Sequence, residues 1–318
     1  MKADGVFEGG GVKGIGLVGA VCRLEEEGYT WRNLAGTSAG AIIAALLAAG
    51  YTGNEIKEII LGIDFRKFQD RDLLQSIPLV GKALGLLVEK GLYRGDSFEK
   101  WLGDLLRAKG KVKFKDISRN GKSSLKVVAS DITRKKLIIL PDELKSYGID
   151  PMDFDIAKAI RMSMSIPFYF NPVKLYWSGK LYYIVDGGIL SDFPVWLFDT
   201  DRLPDSPVFG LRLISPIHGR TIMGKNDFFS YMIDVVKTIL DEDDARYISN
   251  KSLVRTIPVP CEDVSATEFD ISAEKSMKLF KRGYAAANDF LTRWNFDKYV
   301  ERYRKNTPPS RTETLWMD

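Results

Sequence analysis

The amino-acid sequence predicts an α/β fold in which a mainly parallel central sheet is flanked by helices. Two short apolar stretches, residues 5–7 and 31–35, are each followed by a glycine-rich turn and then by a helical pattern of apolar residues. A third apolar stretch, 181–185, runs directly into Asp186-Gly187-Gly188. Strands that alternate with helices need crossover connections, and these favour parallel pairing. The order of the elements therefore indicates the fold class.

The other elements follow from apolar periodicity and turn residues, taken in chain order. The predicted helices are 14–27 ended by Gly28, 41–49, 54–62 with a Thr52/Glu55 capping box, 96–108 capped by Asp96 with Glu99, 156–162, 228–240 and 273–294. The further predicted strands are 125–129, 136–140, 174–177, 181–185, 208–214 and 253–259, of which the third and fourth form a hairpin across Ser178-Gly179.

The 318 residues contain no evident repeat, low-complexity tract or linker, which predicts one domain over 1–300 followed by a surface tail over 301–318. Hydrophobic residues make up 45% and charged residues 28% of the chain, as is usual for a globular protein. The net charge of +4 is too small to predict nucleic-acid binding. It is mildly favourable for peripheral contact with an anionic membrane.

The sequence also predicts a cytoplasmic location, with peripheral contact at the membrane. Only two cysteines, Cys22 and Cys261, are present, so no disulfide framework is indicated. The first residues lack the pattern of a signal peptide, and the longest apolar run, 39–49, is too short to span a bilayer.

The pentapeptide Gly36-Thr37-Ser38-Ala39-Gly40 has the G-x-S-x-G pattern of a nucleophile elbow. Its glycines permit a sharp turn from strand to helix, and Ser38 stands at the apex as the candidate nucleophile. The positive end of the following helix would lie where an oxyanion forms during acyl transfer. The alternative interpretation is a Gly/Ser turn that caps a core helix.

A second glycine-rich corner, residues 9–14, would supply the oxyanion hole. The N–H groups of Gly9, Gly10 and Gly11 can approach a substrate oxygen without side-chain obstruction, and Lys13 would add positive charge nearby. Ligands bind beyond the carboxyl ends of the strands in open α/β sheets, so the corners at 9–14, 36–40 and 186–188 could converge there.

Asp186 is the predicted general base, because it ends a strand beside Gly187 and Gly188. The sole histidine, His218, lies in a loop-like stretch, and the elbow comes earlier in the chain than in a Ser-His-Asp hydrolase. The alternative for Asp186 is a turn aspartate that bonds its own backbone.

Two further interpretations stay open. Gly9-x-Gly11-x-x-Gly14 matches the dinucleotide fingerprint, which would make the protein a nucleotide-binding enzyme, although the acidic residue expected about 20 positions later is missing. The apolar segment 64–92, which includes Leu84 and Leu87, is either a loop and helix packed on the core or a mobile flap over a lipid site.

Together these motifs resemble the patatin-like phospholipase family. Residues 9–14 resemble its oxyanion motif, residues 36–40 its nucleophile motif and residues 186–188 its aspartate motif. The segment 163–167 resembles its A-S-x-A-x-P segment, with Met162 and Ser165 in place of the two alanines. The resemblance covers about residues 5–195, and Lys13 stands where many members have arginine.

The resemblance implies a three-layer patatin-like fold and a phospholipase A or lysophospholipase activity. Ser38 and Asp186 would form a catalytic dyad, and the reaction would pass through an acyl-enzyme. The motif glycines would be Gly14, Gly36, Gly40, Gly187 and Gly188. No metal or organic cofactor is implied, and the expected partner is a phospholipid or lysophospholipid substrate. Acyl transfer to an alcohol, and a catalytically silent lipid-binding module, are the alternatives.

Overall fold

The computed structural model describes residues 1–68, 70, 90–200, 202–214, 250–261, 264–266 and 268–303. Some of the sequence-based predictions concern residues outside these ranges: residues 71–89 of the apolar segment with Leu84 and Leu87, the helix 228–240, His218, and the tail from residue 304.

Among the described residues, twelve strands alternate with eight α-helices. The strands are β1 Lys2–Phe7, β2 Thr30–Thr37, β3 Gly91–Tyr93, β4 Ser118–Arg119, β5 Lys122–Ser123, β6 Leu125–Asp131, β7 Lys136–Leu140, β8 Phe168–Phe170, β9 Val173–Trp177, β10 Lys180–Asp186, β11 Val208–Ile214 and β12 Thr256–Pro260. The helices are α1 Gly14–Glu26, α2 Ser38–Ala48, α3 Gly53–Leu61, α4 Asp96–Ala108, α5 Ile156–Ser163, α6 Asn250–Val254, α7 Ala273–Leu291 and α8 Phe296–Tyr303.

Contacts between residues divide the chain into two compact units. The first unit contains the described parts of 1–62, 193–215 and 247–318, and the second contains those of 63–192. The single domain over 1–300 inferred from the sequence stays a prediction.

The first unit is built on four parallel strands in the order β12, β11, β1 and β2. Most of their apolar residues are buried, as expected for parallel strands that are covered on both faces. Helix α2 packs on β1 and β2, whereas α1 and α7 pack on each other and on β12. The parallel strands place all of their carboxyl ends at one edge.

Glycines allow α1 and α7 to approach closely. A Cβ atom at Gly283 of α7 would lie 1.7 Å from the carbonyl oxygen of Gly16 in α1. A Cβ atom at Gly19 would lie 2.0 Å from the carbonyl oxygen of Phe280. The two helix backbones are therefore in direct contact.

The second unit is built on antiparallel strands in the order β7, β6, β10 and β9. Strands β9 and β10 form the predicted hairpin, whose turn residues Ser178 and Gly179 both have positive φ angles. Helices α4 and α5 pack on each other, and α5 also contacts β6 and β10.

The predicted fold class, α/β with a mainly parallel central sheet and flanking helices, is confirmed. The capping box of Thr52 and Glu55 is also confirmed. No helix in the described ranges is both long enough and apolar enough to cross a membrane.

Two local predictions are wrong. Residues 253 and 254 were predicted to begin a strand, but Leu253 and Val254 end α6, and β12 starts at Thr256. Asp96 does not cap α4, because the N-cap is Gly95 and the N–H groups of Gly95 and Ser97 donate to the carboxylate of Asp70 at 2.7 and 2.9 Å.

Candidate active site

Ser38 occupies the point where β2 ends and α2 begins. Thr37 has an extended backbone, whereas Ser38 has a φ of 50°, in the left-handed region that residues with a side chain rarely adopt. Such a conformation costs about 1–3 kcal/mol and persists only where the surrounding structure imposes it. The residue is 7% exposed, at the positive end of the eleven-residue α2. This is the strained apex expected of a nucleophile elbow.

The glycines on either side of Ser38 are required by close backbone contacts. A Cβ atom at Gly36 would lie 2.5 Å from the carbonyl carbon of Gly40, because the first turn of α2 folds back over the end of β2. A Cβ atom at Gly40 would lie 2.3 Å from the carbonyl oxygen of Phe7 and 2.5 Å from that of Glu8. The start of α2 is thus pressed against the end of β1.

The glycine-rich loop leaves the sheet beside the elbow. Strands β1 and β2 are parallel, and Phe7 is the register partner of Gly36. Gly14, at the start of α1, approaches the start of α2 closely enough that its Cβ atom would lie 3.5 Å from the Cβ of Ala39. The 9–14 loop and Ser38 consequently lie at the same edge of the sheet.

The loop itself has an unusual backbone. Gly10 and Gly11 have φ angles of 153° and 57°, and a 3₁₀ turn follows over Gly11–Lys13. The N–H groups of Gly10 and Gly11 are in no hydrogen bond made among the described residues, so they are available to an incoming oxygen. Lys13 is half-buried at the end of this turn. The arrangement can stabilise a developing negative charge.

A segment far along the chain closes one side of the loop. The carbonyl oxygen of Ala266 accepts the N–H of Val12 at 3.1 Å. A Cβ atom at Gly11 would lie 1.9 Å from the same oxygen. Ala266 was not predicted as part of the site, and no local sequence signal marks it.

Asp186 lies in the second unit, at the end of β10. It is 2% exposed, its N–H donates to the carbonyl oxygen of Ser165 at 2.9 Å, and its Oδ1 accepts the N–H of Gly188 at 2.9 Å. The side chain therefore makes the local turn bond that was the alternative interpretation. The same bond orients the carboxylate, so it is compatible with a role as a base.

A buried arginine supports the segment that holds Asp186. Arg161 donates to the Oγ of Ser165 and to the carbonyl oxygens of Arg94 and Asn171, the last at 2.8 Å. Burial lowers the pKa of Arg161 to about 10, and the guanidinium stays protonated at neutral pH. The sequence-based site did not include Arg161, although a charged residue on the apolar helix 156–162 was a signal that could have found it.

Within the first unit the structure brings together Ser38, Gly36, Gly40 and the whole 9–14 loop. Within the second unit it brings together Asp186, Gly187, Gly188 and the 163–167 segment. The sequence also failed to identify Glu8 and Arg212, which form an ion pair next to the glycine-rich loop.

Comparison of the sequence with known proteins gives consistent matches. YqhO of Bacillus subtilis (strain 168) is 42% identical over 297 residues, which cover 93% of this chain and 100% of that protein. A protein of Invertebrate iridescent virus 6, named as probable lipid hydrolase 463L, is 30% identical over 193 residues, or 60% of this chain and 61% of the viral protein. Residues 5–199 match the family model described as patatin-like phospholipase.

Solved structures with a similar fold are longer than this chain. VipD from Legionella pneumophila is 20% identical with a TM-score of 0.54, and the match covers 91% of this chain and 66% of VipD. A chain of the ExoU–SpcU complex from the type III secretion system of Pseudomonas aeruginosa is 20% identical with a TM-score of 0.51. That match covers 94% of this chain and 52% of the other. At these identities the likeness concerns the fold alone.

Proposed function

Because this chain belongs to the patatin-like phospholipase family, we propose that it is a lipid acyl hydrolase whose catalytic dyad is Ser38 and Asp186. The substrates are phospholipids or lysophospholipids, from which a fatty acyl ester is cleaved. Family membership and the similarity to a viral protein named as a lipid hydrolase support the substrate class. The action at a membrane surface and the cytoplasmic location inferred from the sequence belong to the same proposal.

The reaction proceeds in two halves. The Oγ of Ser38 attacks the ester carbonyl carbon while Asp186 accepts the hydroxyl proton. The N–H groups of Gly9, Gly10 and Gly11 donate to the oxyanion of the tetrahedral intermediate. Asp186 then returns the proton to the departing alcohol, which leaves an acyl-Ser38. Water attacks this acyl-enzyme with Asp186 again as the base, and the fatty acid and free Ser38 are released.

The single observation that carries the proposal is the strained backbone conformation of Ser38, next to the glycine-rich loop. Its φ of 50° at the start of α2 is a strain that a turn with only a capping role does not require. The register of Phe7 with Gly36 puts the elbow and the loop side by side. A nucleophile and its oxyanion donors are thus at one edge of the sheet.

The test is the substitution Ser38→Ala, with Ser206→Ala as its matched control. Ser206 lies in the same unit, is 6% exposed, and precedes the amino end of β11, at the opposite edge of the sheet. Ser38→Ala is expected to lower the kcat for a p-nitrophenyl ester on the order of a thousandfold or more, as for other deleted nucleophiles. Ser206→Ala is expected to keep normal turnover. Near-normal turnover by Ser38→Ala would refute the assignment.

A further inference from the structure

Glu8 lies between β1 and the glycine-rich loop, and its side chain ties this junction to β11. The residue is 6% exposed. Its Oε1 accepts from the Nε of Arg212 at 3.1 Å, and its Oε2 accepts the backbone N–H of Leu213. Its own N–H donates to the carbonyl oxygen of Leu211 at 3.1 Å. Glu8, the last residue before the loop, is thus bonded to three consecutive residues of β11.

The loop needs such support because the three glycines that carry its oxyanion donors cannot be held in place by side chains of their own. Glycines have no side chain to pack and have the largest backbone freedom to lose. Donors to an oxyanion act well only when they are already fixed in place, since a shift of about 0.5 Å weakens their effect. The anchoring groups of the loop must therefore come from neighbouring elements.

Leu213 connects the contacts of Glu8 with the loop. Its N–H donates to Glu8, and its side chain lies against Gly10, where a Cβ atom would be 2.3 Å from the Cδ1 of Leu213. If the Glu8 carboxylate moved, the N–H of Leu213 would lose its acceptor. The side chain of Leu213, which packs against Gly10, would then be free to shift. Glu8 is linked in this way to the N–H groups at Gly10 and Gly11.

We infer that Glu8, held by Arg212, is a positioning residue that sets the glycine-rich loop for stabilisation of the oxyanion. This inference rests on the proposed function. The Glu8–Arg212 ion pair would stabilise the transition state without contributing to substrate binding. A change at Glu8 should therefore lower kcat and leave KM unchanged.

Asp4 of β1 forms a second ion pair, with Arg32, that serves as a control for the pair at Glu8. Asp4 is 3% exposed, and its carboxylate accepts from the Nε and Nη2 of Arg32 at 3.0 and 2.8 Å and from the N–H of Asn33 at 3.0 Å. It lies four positions before Glu8, or roughly 13 Å along an extended chain. A purely structural ion pair at Glu8 would behave like the one at Asp4.

The experiment compares Glu8→Gln with Asp4→Asn. Both oxygens of Glu8 accept from N–H donors, so the amide of Gln must face one donor with its own NH₂ group. Asp4→Asn introduces the same kind of conflict. For each variant, kcat and KM are measured with a soluble p-nitrophenyl ester, together with urea unfolding and the rate at which a fluorophosphonate probe labels Ser38.

Glu8→Gln is expected to lower kcat and the labelling rate about 10- to 100-fold with KM within about twofold of wild type. Asp4→Asn is expected to lose comparable stability but to keep kcat within about threefold. If Glu8→Gln does not fold, Arg212→Met removes the ion-pair partner of Glu8, which is the more exposed of the two side chains, and is expected to lower kcat about 3- to 10-fold. An unchanged kcat in the folded variant, or equal losses in Glu8→Gln and Asp4→Asn, would overturn the inference.

The outcome for the wild type separates this inference from the proposed function. A wild type that neither turns over the ester nor is labelled at Ser38 refutes the proposed function and the role of Glu8 with it. A wild type that is labelled and active, combined with a fully active Glu8→Gln, refutes the positioning role alone.

Discussion

Phe7 and Gly36 lie opposite each other in the parallel pair of β1 and β2. They are the last register partners of this pair, so Glu8 and Thr37 both lie just beyond its last paired residues. The glycine-rich loop follows β1, and the strained Ser38 follows β2. This one register brings two motifs that are more than twenty residues apart in sequence to the same edge of the sheet.

The contact between α2 and the end of β1 makes the backbone at Gly40 intolerant of a side chain. Gly40→Ala would place a Cβ atom 2.3 Å from the carbonyl oxygen of Phe7. We expect a loss of about 2 kcal/mol or more in the free energy of unfolding, since the backbone must move. Gly14→Ala is the control, because its Cβ would meet Ala39 at an ordinary 3.5 Å. Equal urea midpoints for the two variants would contradict the close approach.

The packing of α1 on α7 is tested by two glycines inside helices. Gly283→Ala would place a Cβ atom 1.7 Å from the carbonyl oxygen of Gly16 and is expected to cost about 2–3 kcal/mol or more. In α4, Gly103→Ala would meet only the Cβ of Ala157 at 3.8 Å. It is expected to gain about 0.5–1 kcal/mol from helix propensity. Thermal unfolding of both variants should show shifts of opposite sign, and a stabilised Gly283→Ala would show that the helices are farther apart.

The choice of base is tested by Asp186→Asn and His218→Ala. Asparagine keeps the size of the side chain but cannot accept the Ser38 proton, so Asp186→Asn is expected to remove nearly all turnover. His218, which lies outside the described residues, is expected to be dispensable, with kcat within a few-fold of wild type. A triad would instead require large losses in both variants. Collapse of activity in a folded His218→Ala would therefore exclude the dyad.

The dinucleotide alternative predicts a different ligand for the 9–14 loop. A dinucleotide site also needs an acidic residue about 20 positions after the glycines to bind the ribose, and the sequence lacks it there. Calorimetric titration with NAD, NADP, FAD and ATP is expected to show no micromolar binding. A clear isotherm for a dinucleotide would favour a nucleotide-binding enzyme.

The sequence predicted features that depend on neighbouring residues and missed those that depend on distant ones. Strand β11 was predicted at its observed bounds, and the turn at Ser38 follows from its flanking glycines. Leu253 was assigned to a strand because a short apolar run has no periodicity that separates helix from strand. The cap of α4 comes from Asp70, 25 residues before Gly95. The partners of Glu8 lie 204 and 205 residues away, so no local pattern indicates them.

The most direct test of the central claim is to label the wild-type protein with a fluorophosphonate probe and to map the modified peptide. The probe forms a covalent bond only with a serine that is activated as a nucleophile. We expect one modified residue, Ser38, with labelling lost in Ser38→Ala and kept in Ser206→Ala. Modification of a different serine, or no modification of the folded protein, would contradict the account.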